Sequence, residues 1–412
     1  MAPPKVFSLE GKVLKLDTAE DINAHIQPLV ENTDYTEIRL GGNTLGIGAS
    51  QRLAVVLKNQ ECLEAAYLDD IFTGRLLSEI PTALTALLNA ILELDTVHTV
   101  NLNDNAFGLN TSAPLVEFLS RHVPLRHLIL NNNGLGPAAG THVADALFQL
   151  AQRKEEARRD QKKVNLLESV VCGRNRLENG SMEAWARAYK AHSAGLKSVK
   201  MTQNGIRQEG ISHLLTQGLY HATGLEVLDL QDNTFTTMGS TALANSLPVW
   251  PSLRELGVAR GGVKVAQALA ANKNQNIQTL RLQYNEMKAE AVKSFTHAAK
   301  TALPNLRRVE LNGNIFSEDD PNIVDLRELL ESRQEEHGTD DDPEDTWGVD
   351  ELDELEEEDS EEEDEEDEEE EEEEAKAEKD IKDADRAEGE KVAQKDDKDV
   401  DALADVLGKT GI

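Results

Sequence analysis

The chain has 412 residues and a formal net charge of -35, unevenly held: residues 340–412 carry 38 acidic and 8 basic side chains, residues 1–339 carry 39 and 34. The first part is therefore an ordinary, mildly acidic globular chain and the second a polyanion. Two cysteines, Cys62 and Cys172, exclude a disulfide framework, no apolar run approaches the ~18 residues of a transmembrane helix, and the start MAPPKVFSLEGK has no apolar signal core, so a soluble intracellular protein is expected.

Along the chain one frame keeps returning. A half-formed copy, KVLKLDTAEDI at 12–22, is expected to cap the repeat array. The clean copies are LRHLILNNNGL at 125–135, LEVLDLQDNTF at 225–235, IQTLRLQYNEM at 277–287 and LRRVELNGNIF at 306–316. Their common pattern, LxxLxLxxNxL, is a leucine-rich repeat. The asparagine position, or its stand-in, falls at Asn43, Ile71, Asn105, Asn133, Asn175, Asn204, Asn233, Gly261, Asn285 and Asn314, most often 28 or 29 residues apart. That period fits a short strand alternating with a full helix. The fold expected is α/β, a horseshoe of about 11 repeats like that of ribonuclease inhibitor, with parallel strands on the concave face and helices on the convex face.

The physics of one unit is set by its pattern. In LEVLDL, Leu228 and Leu230 alternate with Asp229, so period 2 buries the leucines and turns Asp229 outward. Asn233 then turns the chain, and its amide can satisfy backbone groups that lose their sheet partners. GSTALANSL at 239–247 is small and apolar at helical spacing and packs behind the strand. The irregular units matter as much. A step of 34 residues follows the odd copy at 63–81, where Ile71 replaces the asparagine and Phe72-Thr73-Gly74-Arg75 makes an atypical rim loop from which a side chain could reach outward. A step of 42 contains the charged insertion LAQRKEEARRDQKKV, 150–164, expected to extend a helix and loop, and a step of 24 follows LRELGVARGG at 253–262. LLNAILEL at 87–94 looks like an export signal but reads as core helix.

The repeat domain is expected over 1–337 and an acidic, largely disordered tail over 338–412. Fourteen consecutive acids at 361–374 cannot bury apolar surface and repel one another. The tail is either a solubiliser or a source of long-range attraction to a basic partner. Its end, LADVLGKTGI, suggests only a short helix.

No catalytic constellation stands out. The ten histidines are scattered, and His98, His127 and His142 lack Cys or carboxylate companions at ligand spacing, so no metal is expected. Phosphate-cradling glycine motifs and a nucleophile elbow are absent, so no nucleotide cofactor and no stand-alone enzyme are expected. The fold offers instead a polar concave face, rich in acids and poor in aromatics. Its lining includes Asp69, Asp70, Asn101, Asn103, Asp104, Asn131, Asn132, Arg174, Asp229, Asp232 and Arg260. A protein with basic patches would suit such a face, and nucleic acid or membrane would not. Asn133 belongs to the buried ladder, whereas Asn131 and Asn132 face outward or toward the rim.

Beyond the frame, the strings DIFTGR (70–75), DNAFG (104–108), NNGLGP (132–137), CGRNRLENGSM (172–182), QNGIR (203–207), LDLQDNTFT (228–236), LRLQYNE (280–286) and LNGNIFSE (311–318) resemble the Ran GTPase-activating protein family in its fungal form. The likeness covers nearly the whole array and extends to the acidic tail. It implies a cytoplasmic activator, present also at the nuclear envelope, that stimulates GTP hydrolysis by Ran and so sustains nucleocytoplasmic transport. Such a protein supplies residues in trans to Ran's own catalytic site. The partner implied is GTP-bound Ran, alone or with a Ran-binding protein, and the activator is expected to be a monomer. The resemblance places the family's important asparagine on Asn132, which would position the catalytic glutamine of Ran. It places the important arginine on Arg75, as a residue that binds Ran or shapes the site rather than as an inserted finger. Asp70, Asn103, Asn131, Asp229 and Asp232 are further partner-binding candidates. The competing class is a leucine-rich scaffold or inhibitor without GTPase activation, which two cysteines and 4% aromatics disfavour.

Overall fold

The computed structural model describes residues 4–356, apart from 161–162, 260–261, 272, 340–341 and 344–345. The expectations for the polyacidic tail and its end, and for Arg260 and Gly261, lie outside the described residues. Among the described residues the main sheet has twelve parallel strands in chain order, from Val6–Ser8 to Gly348–Val349. Most are three residues long, because period 2 gives each unit one buried side chain flanked by two half-exposed ones. The buried members Ile38, Ala66, Val100, Leu128, Val170, Val199, Leu228, Leu256, Leu280 and Val309 are at most 1% exposed. They pair in one register, so they form a single column of core. Helices such as Ile80–Leu92 and Ala289–Thr301 pack behind the column. In Ile80–Leu92, Leu87, Leu88 and Ile91 are buried, which makes the export-like leucines of 87–94 core residues.

The asparagine ladder forms as its chemistry requires. The Asn133 amide donates to the carbonyls of Leu102 (3.0 Å) and Asn131 (2.9 Å), and its Oδ1 accepts from the Asn105 N–H at 3.0 Å. Asn105, Asn175, Asn204, Asn233 and Asn314 repeat the scheme. Ile71 does occupy a rung: its N–H donates to Asn105 Oδ1 at 2.9 Å, and its side chain is buried.

The structure differs from the sequence expectation in two places. The first main-sheet strand is Val6–Ser8, so the capping copy begins earlier than 12–22. Lys15–Leu16 instead pairs with Thr44–Leu45 in a separate two-stranded sheet at the rim. The insertion at 150–164 extends a helix, Gly136–Arg159, as expected, and the extension reaches into the core. Lys154 within it is 2% exposed, with Nζ donating to the carbonyls of Leu125 and Asn165, both at 2.7 Å, and of Val123 at 2.5 Å. The folded array also continues past residue 337. Trp347 and Leu352 are buried, Gly348–Val349 adds the last strand, and Asp350 accepts from the N–H groups of Leu311 (2.6 Å) and Asn312 (3.1 Å). Acidic residues here do what a terminal repeat needs: they satisfy edge donors that no further repeat would cover.

Candidate functional site

Immediately before each described ladder position the chain must turn out of its strand, and the residue there adopts the left-handed region. Gly42, Asp70, Asp104, Asn132, Arg174, Gln203, Asp232, Tyr284 and Gly313 all have φ between +45° and +73°. Gly, Asn and Asp tolerate this conformation, whereas Arg, Gln and Tyr there carry strain of about 1 kcal/mol each. The row is stitched across repeats by backbone bonds: Asp70 N–H to Asn103 O (2.9 Å), Asp104 N–H to Asn131 O (3.0 Å) and Asn132 N–H to Gly173 O (2.9 Å). Side chains on the row therefore stand at one strand spacing, about 5 Å apart, on a rigid base.

Asn132 is exposed on this row, and its Nδ2 donates to Asp104 Oδ1 at 2.8 Å. A carboxylate only accepts, so the contact fixes which end of the amide faces Asp104 and leaves Oδ1 an acceptor without a donor among the described residues. In the sequence Asp104 is one lining residue among many. The signal that it neighbours Asn132 is the spacing of 28 residues between them, one repeat.

Arg75 differs from the outward-reaching side chain that the rim loop suggested. Its side chain is 8% exposed and folds back on the two-stranded rim sheet. Nε donates to Thr44 Oγ1 (2.8 Å), Nη2 to the carbonyls of Thr44 (2.8 Å) and Leu16 (3.3 Å), and Nη1 pairs with Asp17. The guanidinium has found four acceptors in the two preceding repeats, and it pins the Phe72–Arg75 loop to them.

The remaining candidates separate by exposure. Asp232 is exposed on the left-handed row, three repeats beyond Asn132. Asp70 is partly exposed and accepts from the Thr73 hydroxyl of its own loop. Asn103 and Asn131 are half-buried, with Oδ1 atoms taken by the N–H groups of Asn131 (2.6 Å) and Gly173 (2.5 Å). Asp229, which period 2 turns outward, is instead 7% exposed. Burial raises its pKa, while the Gln231 N–H, Arg281 and Lys200 oppose the rise. It lies beside a paired chain of charges in which Glu255 meets Arg281 at 3.0 Å and Lys200 at 3.9 Å. Asp69 also has a raised pKa, from burial first and then from Glu10, Asp104 and Asp70. The Asp70 end of the row is thus an accumulation of negative charge.

No family model matches the chain. The solved structures that align with it include a leucine-rich-repeat protein of Legionella pneumophila (17% identity, 80% of this chain and 92% of that one, TM-score 0.38) and an internalin of Listeria monocytogenes (15%, 75% and 86%, TM-score 0.38). At those scores the fold rests on the repeat geometry itself. Curated sequences are more informative. The chain is 39% identical over 207 residues to Ran GTPase-activating protein 2 of Caenorhabditis elegans, covering 50% of this chain and 21% of that protein, and 37% identical over 203 residues to Ran GTPase-activating protein 1 of Xenopus laevis, covering 48% and 34%. Against Ran GTPase-activating protein 1 of Saccharomyces cerevisiae the identity is 41% over 342 residues, 80% of this chain and 82% of the relative. With that coverage of both partners, and with the repeat array and rim loop described above, the chain belongs to the Ran GTPase-activating protein family.

Proposed function

We propose that this chain stimulates hydrolysis of GTP bound to Ran, with Asn132 as the residue that acts on the catalytic site in trans. The observation that carries the reading is the Asn132 amide, exposed on a rigid left-handed turn and oriented by Asp104. Hydrolysis in small GTPases needs a water held in line with the γ-phosphate, and the GTPase's own glutamine holds it. A glutamine free to rotate spends little time in that position. The Asn132 Oδ1 can accept an N–H of the glutamine amide and so restrict it, leaving the glutamine carbonyl for the water. The gain comes from positioning, with no group transferred to the activator.

Arg75 serves the same face by holding the Phe72–Arg75 loop against the rim sheet. Its guanidinium, turned into the rim sheet, favours shaping of the site over insertion beside the phosphates. The substrate form is GTP-bound Ran, alone or with a Ran-binding protein. The activator works as a monomer, in the cytoplasm and at the nuclear envelope, where hydrolysis would keep Ran in its GDP form.

The test is phosphate release from GTP-loaded Ran with trace amounts of the chain, which should turn over many equivalents. Asn132→Ala should lower the single-turnover rate at saturating activator by at least ~10²-fold while the melting temperature stays within ~1 °C. An unchanged maximal rate would remove Asn132 from this role.

A further inference from the structure

Three successive turns repeat an unusual backbone. Residues 132, 134 and 136 are all left-handed, and so are 174, 176 and 178, with φ between +49° and +66°, and 104, 106 and 108, with φ between +51° and +60°. In the first set these residues are Asn132, Gly134 and Gly136, side chains suited to the conformation. In the second they are Arg174, Arg176 and Glu178, none of which is. The positions equivalent to Arg176 in the adjoining repeats are Gly134 and Gly205. Glycine therefore serves on both sides, and the chain keeps a strained arginine between them.

Nothing among the described residues accounts for these side chains. Both are exposed, and among the described residues neither guanidinium has a hydrogen-bond or ion-pair partner. Their turn is rigid: the N–H of Arg174 donates to Thr202 O at 2.9 Å, that of Asn175 to Asn204 Oδ1 at 2.9 Å and that of Glu178 to Asn204 O at 3.1 Å. Asn132 N–H donates to Gly173 O, one residue before Arg174, so the pair stands one strand from the proposed site. Among the described members of the left-handed row Arg174 is the cation, in a line that otherwise carries Asp70, Asp104 and Asp232.

We propose that Arg174 and Arg176 form a cationic docking turn that receives carboxylates on the surface of the GTP-loaded GTPase. The inference rests on the functional reading above. Rigidly presented guanidinium forks match carboxylates, and an exposed pair with no partner among the described residues is available for one on another protein. The Asp104 carboxylate beside Asn132 disfavours a polyanionic phosphate chain here more than it disfavours single carboxylates. The turn would therefore add to affinity and register, leaving the chemical step to Asn132.

The experiment is single-turnover hydrolysis by GTP-loaded Ran against activator concentration, at low and moderate salt, with the full chain. Arg174→Ala combined with Arg176→Gly should raise the half-saturating concentration at least about tenfold, flatten its salt dependence and leave the maximal rate within about twofold. Arg174→Lys with Arg176→Lys should recover part of the shift, because charge is kept and the fork lost. Arg176→Gly alone should melt no lower than the parent, since it relieves strain. An unchanged half-saturating concentration, or a fall in maximal rate alone, overturns the docking turn, as does a lowered melting temperature for Arg176→Gly. If the parent chain were inert toward GTP-loaded Ran, the functional reading itself would fall, and the docking turn with it.

Discussion

At the scale of single residues, three consecutive asparagines do three different things. Asn133 spends its amide on the carbonyls of Leu102 and Asn131 and belongs to the fold. Asn131 gives its Oδ1 to Gly173 N–H and ties two repeats together. Asn132 keeps its Oδ1 without a donor among the described residues, because Asp104 has claimed its Nδ2. The orientation of Asn132 thus depends on a neighbour one repeat away. Asp104→Ala should lower the maximal activated rate about tenfold, the worth of one hydrogen bond to a charged group, with little change in half-saturating concentration. Asp104→Asn should retain most of the rate, because its side-chain oxygen can still accept from Asn132. Parallel single-turnover measurements on the two variants check this, and equal behaviour of alanine and asparagine would show that Asp104 does not orient the amide.

At the scale of the element, the repeat frame was legible because it is periodic. Period 2 and the fixed asparagine gave the strand column and the ladder. A second set of contacts was not legible, since it has no fixed residue type. Across the helix-side turns a side chain reaches back to a carbonyl 24 to 45 residues earlier in the chain: Gln60 to Leu29 (2.7 Å), His122 to Val97 (2.6 Å), Lys154 to Leu125 (2.7 Å), His192 to Leu147 (2.7 Å) and Asn274 to Trp250 (2.9 Å). The requirement is only a donor of suitable length, so the sequence shows an apparently scattered Gln, His, Lys, His and Asn. Two of them titrate in a useful range. Burial pushes His122 and His192 down from 6.5 to about 4, and nearby Lys154 acts in the same direction. Below pH 6.5 the unfolded chain takes up a proton that each buried imidazole refuses. Stability from these groups is complete above 6.5 and is lost as pH falls from 6.5 toward 4, by an amount on the order of 3 kcal/mol per histidine. Urea midpoints between pH 7 and 4.5 should fall less steeply for His122→Gln and His192→Gln than for the parent. Parallel slopes would mean that the two imidazoles accept protons while folded.

At the scale of the whole molecule, composition misled in one place, and the reason is physical. From residue 338 onward the chain looks like tail, because acidic residues dominate and solvated acids do not build a core. A solenoid, however, ends on an open edge whose N–H groups need acceptors, and carboxylates are good ones. Asp350 accepts from Leu311, Asn312 and, at 2.9 Å, from Gln283 Nε2, while Asp353 accepts from Asn312 Nδ2 at 2.8 Å. Trp347 lies under the Arg307 guanidinium, 5.0 Å from its ring centre, and Leu352 is buried against the last repeat. The stretch to residue 356 is therefore a cap written in acidic residues, and apolar Trp347, Val349, Leu352 and Leu355 distinguish it from the polyacidic run beyond. A chain ended after residue 356 should melt with the full-length protein. One ended after residue 337 exposes the edge of Arg308–Glu310 and should melt lower, by about 1–2 °C for each kcal/mol of lost cap. Its first unprotected amides in hydrogen exchange should be those of Leu311 and Asn312. Equal melting temperatures for the two truncations would mean that the segment 338–356 rests on the array without stabilising it.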